Sequence, residues 1–307
     1  MTEESSVPRI SVLLTSFNRE RYIAESIESV LSQSLTDFEL IVVDDGSTDG
    51  TVEIARRYLS DSRVRLVQNE RNLGQFQNRN RAATLARGEY LKYHDSDDLM
   101  YPHCLAVMAQ ALSAEPHAAL ALSAHTAWPG GPSPMLLTPS LAYEREFLGS
   151  GLFQQSPASA LFRADAFREL GGFPTAGVAS DYLFWLKACA VVNVLLVPGD
   201  LFYYRLHAGQ ELVSPNALRE YARSSSAAWE MLNSGACPLT GNALEVGKRN
   251  FAFIQAREIY RSLKRGRFGP AIDIVRHSGL GVRDWMIHLR PPRRNAAAGT
   301  PPGPSAT

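Results

Sequence analysis

Short apolar runs, each followed by a polar cluster, recur through the first hundred residues of the chain. Ile10-Ser11-Val12-Leu13-Leu14, Phe38–Val43, Val64–Gln68 and Tyr90–His94 have strand length, and the first is apolar enough for burial on both faces. Between them the apolar positions switch to helical spacing. Ile23, Ile27, Val30 and Leu31 predict an amphipathic helix over about Glu20–Gln33. A second helix carries Val52, Ile54, Ala55, Tyr58 and Leu59, and a third covers Gln75–Ala86. Strands alternating with helices predict an α/β fold with a mainly parallel central sheet and right-handed crossovers. Ligands of such sheets sit beyond the carboxyl ends of the strands. The clusters Thr15–Arg19, Asp44–Asp49 and Asp95–Asp98 all follow strands directly, so all three should line one rim.

Beyond Pro102 the pattern predicts a helix at Cys104–Ala114 and a strand at Ala118–Ser123. The Pro- and Gly-rich stretch Trp128–Pro134 reads as a loop. Ser156–Phe162 reads as a strand, followed by a short helix ending at Leu170, where Gly171-Gly172 act as a stop. Tyr182–Ala190 is a mostly apolar helix, and Val191–Val197 and Leu201–Tyr204 are strands. From Asn216 only helices follow, at Ala217–Leu232, Leu244–Lys264, Pro270–His277 and Val282–Leu289. The expected organisation is a tail over 1–8, an α/β domain over 9–212, a helical region over 213–290 and a disordered tail over 291–307.

Composition narrows the function classes. At 307 residues, with 45% hydrophobic and 20% charged residues, the chain is an ordinary globular protein. Its formal net charge is zero, which argues against nucleic acid as partner. The distribution is uneven, since Glu245–Arg294 carries twelve Lys and Arg against four Asp and Glu. A solvated helical surface is one account of that excess; contact with anionic lipid or a polyanionic acceptor is the other. Cys104, Cys189 and Cys237 are odd in number and form no metal-like pattern, as expected of reduced thiols in a cytoplasmic protein. No apolar stretch has membrane-spanning length, and Met1–Arg9 lacks the apolar region of a signal peptide. The expected location is therefore cytoplasmic, with any membrane association peripheral to the inner face through the basic C-terminal region.

The densest candidate chemistry is Asp95-Ser96-Asp97-Asp98. Three carboxylates within four residues repel one another and need water, basic side chains or a cation. Carboxylate oxygens suit Mg²⁺ or Mn²⁺, which keeps waters and takes further ligands from a substrate's phosphates. An acidic turn capping the next helix is the competing account.

Taken together, the motifs resemble the inverting family 2 glycosyltransferases of GT-A fold. The resemblance rests on Thr15–Arg19, Val42–Asp49, Asn72-Leu73-Gly74, Arg79-Asn80, Arg87–Tyr90 and Asp95–Asp98. It continues in Phe162-Arg163, Gly171–Pro174, Ser180-Asp181 and Tyr204–His207. The resemblance implies transfer of a sugar from a nucleotide-diphosphate donor, UDP-linked by expectation, to a hydroxyl acceptor that is a glycan, a lipid-linked sugar or a small molecule. Cell-envelope polysaccharide or glycolipid assembly is the setting it implies.

By the same resemblance Thr15, Asn18, Asp44, Asp45, Arg79, Asp95 and Ser96 bind the donor. Asp45 takes the nucleobase, Asp44 mainly supports it, and Arg79 reaches the base or diphosphate. Asp97 or Asp98 ligates Mg²⁺ or Mn²⁺, His207 is a further candidate contact to the metal or the phosphates, and Asp181 is the catalytic base. Many members have Glu-Asp where this chain has Ser180-Asp181, a departure that keeps the base and alters its surroundings. Phe173 and Tyr182 are candidates for a wall against a sugar, whereas Trp185 and His94 read as packed interior. Two rivals are a sugar nucleotidyltransferase, disfavoured because no Gly-rich, Lys-containing phosphate loop follows the first strand, and a non-catalytic sugar-nucleotide binding module. An NAD-binding dehydrogenase is disfavoured by the absence of Gly-x-Gly-x-x-Gly at that place.

Overall fold

The computed structural model describes residues 7–123, 133–175, 177, 179–207 and 217–288, with side chains from 224 in the last segment. The loop at 128–132, the domain boundary near 212, Leu289, the tail after 290 and residues 1–6 lie outside the described residues.

The first half alternates as expected: β1 (Ile10–Ser16), α1 (Ile23–Leu31), β2 (Phe38–Asp44), α2 (Thr51–Arg56), β3 (Val64–Gln68), α3 (Gln75–Leu85) and β4 (Tyr90–Asp95). Then come β5 (Leu99–Met100), α4 (Cys104–Ala114), β6 (Ala118–Ser123), β7 (Met135–Leu137) and α5 (Pro139–Phe147). After β8 (Ala160–Arg163) follow α6 (Ala164–Glu169), α7 (Ser180–Ala188), β9 (Asn193–Val197) and β10 (Phe202–Tyr203). The helices α8 (Ala217–Leu232), α9 (Gly241–Lys264), α10 (Phe268–His277) and α11 (Val282–His288) close the described chain.

Eight strands form one sheet in the order β3-β2-β1-β4-β8-β6-β9-β7. The β3-β2-β1-β4 block is wholly parallel, and β8 runs antiparallel to both β4 and β6. The apolar runs alternate between two cores, as burial on both faces requires. Leu13, Ile41, Leu91 and Tyr93 face one side, and Val12, Leu14, Leu40, Val42 and Tyr90 the other. Trp185 and Phe162 stack at 5.8 Å within the first core. The C-terminal helices extend that core, since Trp229 and Phe251 stack at 5.7 Å and join the cluster that holds Phe147 and Trp185. Gly88 lies where the chain enters β4 against β1; a Cβ there would stand 2.6 Å from the Ser11 amide nitrogen.

Besides the short strands β5 and β7, three features depart from the sequence expectation. The strand expected at Ser156–Phe162 begins only at Ala160, behind a 3₁₀ turn at Pro157–Ser159. Proline has no N–H for a ladder, and the Ser156 hydroxyl accepts from the Ala158 N–H at 3.2 Å instead. The helix α5 was not expected, although Thr138 caps it and Pro139 opens it. Phe173 is no sugar wall. It is buried among Phe76, Tyr93, Phe167 and Phe184, with ring centroids 4.6 to 5.7 Å away.

Candidate active site

Parallel register brings the strand ends together. Thr15 at the end of β1 pairs with Val43 on one side and Asp95 on the other, and Ser16 pairs with Asp44. The polar clusters therefore open onto a common cleft of about 610 Å³, lined by Thr15, Asn18, Asp45, Arg79, Asp95, Ser96, Asp97 and Asp181 among others.

Each side chain is held for a physical reason. Asp44 lies behind the rim, where its carboxylate accepts from the Gly46 and Ser47 amides at 3.1 and 2.9 Å and from the Ser16 hydroxyl at 3.3 Å. It builds the turn that presents Asp45 and does not line the cleft. Asp45 accepts from Asn69 Nδ2 at 2.7 Å and from the amides of Leu73 and Gly74, each at 2.9 Å. That ties the Asn72-Leu73-Gly74 loop to the end of β2. Asn78 supports the arrangement from α3 by donating to the Val43 carbonyl. Asn18 adopts φ +51°, a region asparagine tolerates, and its Oδ1 accepts from the Thr48 amide at 2.9 Å.

The buried Arg79 and the partly exposed Asp95 form an ion pair at 2.5 Å on the cleft floor. Burial pushes Asp95 upward, but the Arg79 guanidinium outweighs it and holds the carboxyl below the usual range. The Ser156 hydroxyl completes Asp95 at 3.1 Å. Arg79, expected to reach a donor, is thus already engaged by the floor.

Asp97 meets two cationic or polar partners: Arg19 Nε at 3.1 Å and His207 Nε2 at 2.9 Å. The pairing of β10 with β5 brings His207 there, because β5 directly follows the acidic cluster. In the same return Arg205 donates its amide to Asp98 at 3.0 Å and its Nε to the Asp97 carbonyl at 2.9 Å. Asp98 is fully buried, and its Oδ2 has no partner among the described residues. Burial, followed by the charge of Asp95, pushes its carboxyl up to about 8. His94 is packed interior, and burial pushes its imidazole down to about 3.

Asp181 stands in the first turn of α7 and accepts from the Tyr182 amide at 2.7 Å. Burial pushes it up to about 6, against the pull of that amide and of the Arg79 charge. A carboxylate titrating there is poised to accept a proton near neutral pH. Asp181 also lines a second cavity of about 1080 Å³, shared with the cleft through Ser156 and Tyr204. It therefore marks the junction of two compartments. Sequence reasoning assigned no role to Arg19, Arg205, Ser156 or Tyr204. Ser-Pro at 156–157 was a turn signal, but nothing local showed which carboxylate the serine would meet.

Residues 11–171, more than half the chain, match the model for glycosyl transferase family 2. This protein belongs to glycosyltransferase family 2. TarS of Staphylococcus aureus, a poly(ribitol-phosphate) beta-N-acetylglucosaminyltransferase, is 30% identical over 226 residues, covering 70% of this chain and 39% of TarS. EpsE of Bacillus subtilis is 44% identical over 103 residues, covering 33% of this chain and 37% of EpsE. The chain thus aligns with well under half the length of these relatives. The crystal structure of S. aureus TarS 1-349 in complex with UDP superposes with a TM-score of 0.61 at 26% identity, over 84% of this chain and 74% of that one. The mixed sheet with C-terminal helices is accordingly the GT-A fold.

Proposed function

We propose that this protein transfers a sugar from a UDP-linked donor to a hydroxyl acceptor with inversion, using Asp181 as the base. The supporting observation is placement: Asp181 shares a cleft with Asp45 and Asp97 and opens onto a second compartment behind it. Thr15, Asn18 and Asp45 receive the nucleoside, and Asp95 with Ser96 the ribose and sugar side. The acceptor oxygen attacks the anomeric carbon while Asp181 takes its proton. The bond from that carbon to the diphosphate oxygen breaks, and its electron pair leaves with UDP. TarS, whose structure holds UDP, supports the nucleotide.

The residues present fit a divalent cation. Asp97 Oδ2 and His207 Nε2 lie together at the cleft, and the buried Asp98 Oδ2 behind them has no partner among the described residues. No group of three or more candidate ligands occurs among the described residues. Mg²⁺ commonly takes one or two carboxylates from a protein, with waters and a substrate's phosphate oxygens as the rest. The bound ion would neutralise charge gathering on the departing diphosphate.

No helix among the described residues is long and apolar enough to cross a membrane. The proposed setting is cell-envelope polysaccharide or glycolipid assembly on the cytoplasmic side. Exposed Tyr260, Phe268 and Val275 beside basic residues of the C-terminal helices supply the peripheral membrane contact. The test is a thermal-shift panel of UDP-, GDP-, dTDP- and CDP-sugars with Mn²⁺, since a ligand of the folded state raises the apparent midpoint by mass action. UDP-sugars should stand out; a larger shift with another nucleotide overturns the donor assignment.

A further inference from the structure

The second compartment has a wall whose chemistry the donor reading does not use. It lies between the α/β portion and the helices α9 and α10, and it meets the donor cleft at Ser156, Asp181 and Tyr204. A molecule that offers a hydroxyl to Asp181 while a donor fills the cleft has this space for the rest of its bulk. The volume, about 1080 Å³, stands just above the usual range for small-molecule sites, roughly 300–1,000 Å³.

The far wall is basic. Arg257, Arg261 and Arg265 follow at four-residue intervals on α9, and Arg267 stands at the turn into α10. Residues four apart on a helix share a face about 6 Å apart along the axis, so Arg257, Arg261 and Arg265, the last capping α9, follow one face over roughly 12 Å. All four side chains belong to exposed residues, and Glu258 pairs with Arg261 at 2.6 Å. With both members about half exposed, that pair is weak and gives way to a better acceptor at little loss. The acids on the opposite wall are differently placed. Glu146 is engaged by the amides of Leu152 and Phe153 at 2.6 and 2.8 Å and by the Tyr182 hydroxyl. The lining holds Glu146, Asp181, Asp200 and Glu258 beside four arginines; Glu146 is fixed, while the guanidinium forks belong to exposed residues free to meet a ligand. Such forks match phosphate and carboxylate oxygens two at a time.

We propose that the acceptor is an anionic hydroxyl compound, bearing phosphate or carboxylate groups that the Arg257–Arg261–Arg265 face of α9 holds while a hydroxyl meets Asp181. The proposal rests on the reading of Asp181 and its cleft as the transfer site. It makes α9 part of the binding machinery and sets the substrate class through charge.

The test is isothermal titration of the full chain at constant ionic strength with Mn²⁺, first with UDP and then, on the UDP-saturated protein, with glycerol 3-phosphate, glucuronate, glycerol and glucose. The two anions should bind and the neutral pair should not; the better of the two anions separates phosphate from carboxylate as the natural group. The triple variant Arg257→Gln, Arg261→Gln, Arg265→Gln alters only exposed side chains, so it should keep its fold and its UDP affinity while anion binding weakens at least tenfold. Equal binding of anions and neutral polyols, or unchanged anion binding in the triple variant, overturns the proposal. Failure of UDP to bind instead sinks the donor reading, and the anion titrations of native and triple-variant protein still decide the role of α9.

Discussion

Replacing Asp181 with Asn removes the proposed proton acceptor and little else. The amide keeps the size of the carboxylate and an oxygen for the Tyr182 N–H, now 2.7 Å away. A positioned general base is worth about 10²–10⁴ in rate, and that corresponds to roughly 3–5 kcal/mol of barrier. UDP release on transfer, followed in a coupled assay, should fall by that factor at pH 7.5. The pH profile adds a second constraint. Burial pushes the Asp181 carboxyl up to about 6, so it is about 97% ionised at pH 7.5 and about nine-tenths protonated at pH 5 by simple titration. Native activity should climb about tenfold from pH 5 to 7 and then level, and the variant should lack that limb.

Stability should move the other way. A carboxyl whose folded pKa is raised lends stability below its unfolded pKa of about 3.9 and loses it as pH rises through the folded value. At pH 7.5 the native protein carries the whole penalty, at most about 3 kcal/mol and less because the side chain is partly solvated. The Asn variant escapes it and should melt higher at pH 7.5, the gain vanishing by about pH 4. The variant is thus expected to be slower and sturdier. Activity within threefold of native, or a pH limb that survives the substitution, refutes the assignment; a lower melting midpoint at pH 7.5 refutes the burial argument.

Three other outcomes are expected. Asp97→Ala deletes the group that meets Arg19 and His207; UDP release should drop about 100-fold or more and stop responding to Mn²⁺ or EDTA, and chelator-insensitive turnover in the native enzyme would reject the cation. Gly88→Ala puts a methyl 2.6 Å from the Ser11 amide and 2.9 Å from the Ile10 carbonyl carbon, which should lower stability by about 1–3 kcal/mol in urea; an unchanged midpoint contradicts that crowding. In Glu39, burial pushes the carboxyl up, but the Ser11 hydroxyl and Arg87 outweigh it and hold the group below its usual range. Its stabilisation is present above about pH 4.5 and fades as pH falls through the folded value, so Glu39→Gln should cost most in denaturant midpoint at pH 7 and little near pH 3, and a gap independent of pH would argue against it.

The first hundred residues were legible because long-period signals and chemistry agree there. The β1, β2 and β4 runs are mostly apolar and buried, and parallel pairing leaves the following polar clusters no choice of edge. Cys104–Ala114 and Ala118–Ser123 emerge with the expected bounds for similar reasons. What escaped is short or depends on distant partners. β5 has two residues, too few to show a period, yet its pairing with β10, which falls within the strand expected at Leu201–Tyr204, carries His207 to Asp97. Arg79 was placed at the rim, but its ion pair with Asp95 is a product of tertiary packing. Phe173 looked like a surface for sugar because an aromatic in a Gly-rich loop gives no sign of the four rings that enclose it.

The couple formed by Arg79 and Asp95 also bears on how this sequence can drift. Removing Asp95 strands the buried Arg79 charge at a cost of up to about 3–5 kcal/mol, a large fraction of a domain's whole margin. Joint replacement by neutral side chains of similar bulk is far milder. Descendants of this chain should therefore keep both residues or exchange both, and lineages with only one altered should be rare. The floor of the cleft is inherited as a unit, whereas a change at one exposed arginine of α9 strands no buried partner and is answerable only to what that face binds.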